Sequence, residues 1–165
     1  MSKPGKRPQR QKLQLLRPEK LSDYHHKQAA HTLLGLISLP LLVCLLAAYS
    51  HPEHRAVLLL ASGVLILGAA LFSSLKIEVK DQTLYWSFGF GLIRKQQSLN
   101  EVSRAEITRS TWLEGWGIHY TKRGWLYNVS GRDAVLITLA SGKSFMLGSD
   151  DVIALWEAIQ FRLKD

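Results

Sequence analysis

The sequence predicts a membrane α-helical hairpin followed by a small all-β barrel or sandwich that a C-terminal α-helix caps. Three observations carry this. Residues 29–50 and 56–75 contain no Lys, Arg, Asp or Glu. Apolar residues alternating with a period of two begin directly after them, and the chain finishes on a single amphipathic stripe. The averages conceal this pattern: 165 residues with 47% hydrophobic, 21% charged and a mean hydropathy of 0.00 describe an ordinary soluble domain. The tail and spans take 75 residues and leave 90, enough for one small core and too few for a two-domain catalytic cleft.

Charge comes first in the chain. Residues 1–28 carry Lys3, Lys6, Arg7, Arg10, Lys12, Arg17, Lys20 and Lys27 against Glu19 and Asp23, a net +6 of the total +8. A basic tail that runs straight into an apolar segment suits anionic lipid headgroups better than nucleic acid, so membrane lipids are the expected partner and nucleic acid is not.

The two apolar runs each reach the roughly 20 residues that a helix needs to cross about 30 Å of hydrocarbon. The short link between them, with Pro52 and Glu53, makes the spans antiparallel. Pro40 is tolerated inside a span because neighbouring groups can satisfy the freed carbonyl. A cleaved signal peptide fits poorly, since the basic region is long and a second span follows at once. Lys and Arg flank the outer ends of both spans while the link holds only Arg55, which predicts both termini in the cytoplasm of a cell (inner) membrane. Ala69 and Ser73, and Ala70 and Ser74, stand four residues apart, permitting close approach within the hairpin or to a second copy. Cys44 is the sole cysteine and reads as apolar filler. His51 and His54 with Glu53 offer too few ligands for zinc, and His25, His26 and His31 read as interfacial groups. No metal and no cofactor are expected.

The remainder, 76–165, reads as a β domain on the cytoplasmic side. Ile77 and Val79 alternate with Glu78 and Lys80, and Leu84, Trp86 and Phe88 with Tyr85 and Ser87. Strands follow at Val102–Arg109, with Ala105 and Ile107 on one face, then at GIHYT, WLYNV, AVLITLA and KSFML, seven or eight in all. A helix over 150–163 has Ser149 as its cap, Arg162 and Lys164 at its finish, and Val152, Leu155, Trp156, Ile159 and Leu163 on one stripe. Trp156 is the expected plug of the barrel.

Strands closed by one C-terminal amphipathic helix are the order of a pleckstrin-homology-like fold. The chain resembles bacterial PH-like domain membrane proteins of uncharacterised function over residues 76–161. KIEVKDQTLYWSFGFGLIRKQQSLNEVSRAEI gives the opening, GWGIHYTKRGWLYNVSGRDAV the most distinctive piece and SGKSFMLGSDDVIALWEAI the close. The resemblance implies a PH-like β domain tethered to a membrane, and no particular reaction. Phosphoinositide binding by eukaryotic relatives does not carry over, because the matching first turn at Asp81, Gln82 and Thr83 holds no cation.

Residues 112–133 are the candidate site. Trp112, Trp116, Tyr120, Trp125 and Tyr127 interleave with Lys122, Arg123 and Arg132 and are hinged by glycines. Such a surface suits a protein partner, for which Trp, Tyr and Arg are the usual anchors, or a lipid surface at headgroup level. In the plainest alternative Trp125, Tyr127 and Ile118 face the core. Glu106, Glu114, His119 and Asp133 are candidate acids and bases, yet no nucleophile elbow, phosphate loop or HExxH accompanies them. The reading is a non-catalytic binding or assembly module.

Overall fold

The computed structural model describes residues 23–111 and 114–163. In chain order these form β1 (Tyr24–Ala29), α1 (His31–Ser50), a 3-10 turn (Pro52–His54) and α2 (Arg55–Leu71). Then come β2 (Ser74–Lys80), β3 (Thr83–Phe88), β4 (Ile93–Ser98), a second 3-10 turn (Leu99–Glu101) and β5 (Val102–Arg109). The chain ends with β6 (Gly117–Thr121), β7 (Gly124–Asn128), β8 (Asp133–Leu139), β9 (Ser144–Gly148) and α3 (Val152–Leu163).

Two helices are long and apolar enough to cross a membrane. α1 has 20 residues, and α2 with its leading turn makes a second apolar segment, Pro52–Leu71, of equal length. At 1.5 Å per residue each spans about 30 Å. Most of their large side chains, among them Leu39, Leu46, Leu60 and Leu67, are exposed. The seam between them is made by small residues: Ala48 and Ser62 are buried there, and the Ser62 hydroxyl donates to the Leu58 carbonyl at 2.9 Å. Pro40 lies inside α1, which continues through it.

Both helix boundaries differ from the sequence expectation. Ala29 closes β1, and the Ala30 amide donates to the Ser73 carbonyl at 2.9 Å, so α1 starts at His31 rather than at 29. α2 stops at Leu71 and β2 opens at Ser74. Ser73 and Ser74 therefore leave the helix, and their spacing from Ala69 and Ala70 lines no helical face. Hydropathy cannot separate a span's end from a buried apolar strand that follows it without a charge.

The strands build two sheets, where the sequence predicts a barrel or a sandwich. One has the order β1-β2-β3-β4, all antiparallel. The other has the order β5-β8-β9-β7-β6 and contains one parallel pair, β7 with β9. Nine strands form among the described residues. β1 lies within the stretch expected to be a tail: its inward residues, Tyr24, His26 and Gln28, are polar, so no apolar alternation announces it. Its pairing with β2 and the Gln28 amide's bond to the Ser130 carbonyl, at 2.9 Å, hold it instead.

The core lies between the sheets and under α3. Leu75, Ile77, Val79, Leu84, Trp86 and Phe88 supply one wall, as the alternation predicts. Tyr127, Val135, Ile137 and Leu147 supply the other. Trp86 stacks on Phe145 with ring centroids 5.2 Å apart and meets Tyr127 edge-on at 5.2 Å, so an aromatic cluster locks sheet to sheet.

α3 covers β5, but its plug is not Trp156. Leu155 and Ile159 are fully buried, while Trp156 stands at the margin and donates its indole N–H to the Ala105 carbonyl at 3.0 Å. A polar edge belongs where a carbonyl can take it. Ser149 caps the helix through the Asp151 amide, and regular helix begins at Val152 rather than at 150. Ile107 is 48% exposed although Ala105 on the same face is buried. Ile107 lies opposite Val135 near the far end of β5 and, unlike Ala105, is not part of the core cluster.

Candidate binding groove

The site begins with the way the five-stranded sheet curls. β5 and β6 are its two edge strands, and β6 pairs only with β7. Arg123, in the β6–β7 turn, reaches across to β5: one guanidinium nitrogen donates to the Thr108 hydroxyl at 2.8 Å and another to the Arg109 carbonyl at 3.0 Å. The sheet thus approaches closure at one corner through a side chain instead of a backbone ladder. The gap is an open groove of about 1170 Å³, with Arg109 and Thr111 on one side and His119, Tyr120, Thr121, Lys122 and Arg123 on the other. Glu114 and Trp116, between these two walls in sequence, also line it.

Local chemistry holds these walls. The Thr111 amide donates to the Glu114 carboxylate at 2.6 Å, and Arg123 meets the same carboxylate at 3.1 Å. Burial opposes the charge on Glu114, but those donors outweigh it, and its pKa is lowered from the ordinary 4.5. Thr121 accepts from the Arg123 amide at 3.1 Å and donates to the Gly124 carbonyl at 2.8 Å, which shapes the β6–β7 turn. Gly124 is obligatory there: at φ +99° a Cβ would lie 1.8 Å from the Ser144 carbonyl oxygen, where β7 meets β9.

The candidate residues divide. Trp116, Tyr120, Lys122 and Arg123 line the one groove. Trp125 lies opposite Tyr120 in the β6–β7 register, and their rings meet edge-on at 5.5 Å. Ile118 and Tyr127, the next pair along, join the core, so Tyr120 and Trp125 continue the core face beyond its cover, 74% and 47% exposed. Arg132 is exposed in the β7–β8 turn outside the groove. Trp112 lies outside the described residues.

Arg123 carries less of the expected partner surface than its charge suggests, because its guanidinium is engaged by Thr108, Arg109 and Glu114. Lys122 is exposed beside it.

Arg109 and Thr111 were missed: they lie just ahead of the aromatic segment, at the end of β5 and two residues past it, and only the curl of the sheet sets them against Lys122 and Arg123. Among the weighed acids, Glu106 pairs with Arg104 at 2.7 Å and Asp133 with Arg109 at 2.8 Å. His119 Nε2 is buried without a polar partner among the described residues.

Part of the groove lies near the start of α1. The Ser130 hydroxyl lies 3.3 Å from that of Thr32 in the first turn of α1, and the Trp116 indole donates to the Gly131 carbonyl at 3.2 Å. The Trp116 end is therefore close to the helix attachment. From there β6 carries the chain about 13 Å, four steps of 3.3 Å from Gly117 to Thr121, before Lys122.

No protein-family model matches the sequence, and no curated protein matches it.

Proposed function

We propose that this chain is a membrane-anchored, non-catalytic binding or assembly module whose PH-like β domain stands at the cytoplasmic face and takes an extended segment of a protein partner in the β5–β6 groove. The observation that carries the reading is the groove's construction between two sheet edges. An extended chain can add to an open edge through its backbone, while side chains enter the pockets beside it. Trp116 and Tyr120 supply aromatic contacts. Arg109 and Arg123 are already paired with Asp133 and Glu114, so the exposed Lys122 is the groove cation that an acidic side chain of the segment would meet. The helical hairpin keeps this groove at high effective concentration near other membrane proteins.

Lipid binding by the whole aromatic surface is the competing reading. It fits Trp116 and Arg132, near the helix attachment, better than Tyr120 and Lys122.

The test places a photo-crosslinking side chain at Tyr120 in the full chain, in native membranes. A discrete protein adduct is expected, weakened about tenfold or more by Trp116→Ala with Lys122→Glu. Adducts with lipid alone would overturn the reading. A reporter fused after Asp165 should be active only in the cytoplasm, and activity outside would overturn the orientation.

A further inference from the structure

The β3–β4 hairpin turn is the most apolar exposed point of the β domain, and it abuts the end of α2. Gly89 opens the turn at φ +51° and donates its amide to the Ser74 carbonyl at 2.8 Å. It lies so close to the helix that a Cβ there would be 2.5 Å from the carbonyl oxygens of both Ala70 and Leu71. Phe72, just past α2, meets Phe88 edge-on at 5.6 Å and fixes the hairpin against the helix end. Past Gly89, Phe90 is 80% and Leu92 77% exposed. Two large apolar side chains at a tight turn bury nothing within the fold, and a soluble turn would favour polar residues.

Cations stand directly behind this tip. Register places Lys76, Ser87 and Arg94 in one row across β2, β3 and β4, on the face opposite the buried Leu75 and Phe88. With Lys95 they line a groove of about 370 Å³ next to Phe90. Its one carboxylate, Glu78, is already held by Lys76 at 2.8 Å and by His25 at 2.7 Å. Arg94 donates to the Gly91 carbonyl and so stiffens the turn while staying exposed.

We propose that the β3–β4 turn is a third membrane anchor. Phe90 and Leu92 dip into the acyl boundary beside the end of α2, and Lys76, Arg94 and Lys95 hold the phosphate of an anionic phospholipid in the groove behind them. The order apolar tip, then cations, then polar sheet follows the order acyl chain, phosphate, water along a bilayer normal. Fixed at the helix end and at this turn, the domain cannot swivel freely on its linkers, so the β5–β6 groove keeps one orientation to the membrane. The inference rests on the membrane reading of α1 and α2.

The test uses the full chain in nanodiscs with Cys44→Ser and single spin labels at Phe90→Cys, Leu92→Cys, Leu39→Cys and Ser141→Cys. Oxygen access relative to a water-soluble nickel reagent should be several-fold higher at 90 and 92 than at 141, and should approach that at 39. A lipid-like 39 with water-like 90 and 92 overturns this anchor and leaves the spans intact. A water-like 39 overturns the membrane reading itself.

In discs of phosphatidylglycerol and phosphatidylcholine, the protein should retain phosphatidylglycerol preferentially on ejection into a mass spectrometer. Lys76→Gln with Lys95→Gln, which spares the Arg94 bond, should lower that preference by about fivefold for each cation removed. An unchanged preference, or displacement of the lipid by free glycerol phosphate, overturns the assigned headgroup.

Discussion

Arg162 offers a sharp test of how the β domain is held, because its sequence position suggests a minor role. At the end of α3 a cation complements the helix dipole, an effect worth about 0.3–1 kcal/mol when exposed. In the fold its side chain is buried and leaves the helix for the β2–β3 turn, donating to the Asp81 carbonyl and, at 3.4 Å, to that of Val79. Asp81 has φ +52°, an unfavourable conformation for a residue with a side chain, which this clamp helps to hold. Arg162 also donates to the Ala158 carbonyl at 3.1 Å, but that oxygen already serves the helix. The exposed Asp23 carboxylate, 3.9 Å away, adds little.

Arg162→Ala therefore removes one good charge-assisted bond, about 1.5–3 kcal/mol. It also removes two buried methylenes, Cγ and Cδ, at about 0.8 kcal/mol each. The sum is about 4 kcal/mol. Arg162→Met keeps the stem and should cost about half as much. For a chain of this size each kcal/mol lowers Tm by about 2–4 °C, so Arg162→Ala should melt about 8–16 °C below the parent. Thermal unfolding of the full chain in detergent reads the total, and hydrogen exchange at residues 81–83 reads the turn itself. A Tm within about 2 °C of the parent refutes the clamp. Equal losses for Ala and Met refute the contribution assigned to the stem.

Two further predictions concern the groove. Gly124→Ala drives a Cβ into backbone at Ser144 and should cost about 3 kcal/mol or more, whereas Gly131→Ala, at φ +70° with open space around it, should cost about 1–2. Chemical denaturation that finds the two equal would show that conformation alone, and not the β7–β9 approach, makes Gly124 necessary. Because the Glu114 pKa is lowered by folding, its contribution is present above the ordinary value of 4.5 and fades as pH falls through the lower folded value. The Tm difference between the parent and Glu114→Gln should be constant above that range and shrink below it. A difference that persists at the lowest pH refutes the role of the charge.

Much of this architecture is legible in the residues. The uncharged runs mark two helices, and the alternation of Ile77 with Val79, and of Leu84 with Trp86 and Phe88, marks strands whose inward faces are the observed core. The stripe ending at Leu163 marks a capping helix. Each is a local pattern, set by the period of the backbone. β1 is not legible, because its inward residues are polar and only pairing with β2 makes it a strand. The edge of the aromatic segment is equally hidden: Tyr127 and Trp125 share a face, yet only Tyr127 meets the opposite wall.

The sequence by itself thus determined the two long apolar helices, the β domain and the residues available for a site, since hydropathy and side-chain period are properties of neighbouring residues. Tertiary structure alone decided where those residues go. The insertion of β9 between β7 and β8 and the curl of the sheet bring Arg109 to Lys122 and occupy Arg123. The approach of Gly89 to α2 sets an apolar turn beside the helix end. Both depend on contacts between residues far apart in the chain, whose free energy exists only once the elements have packed.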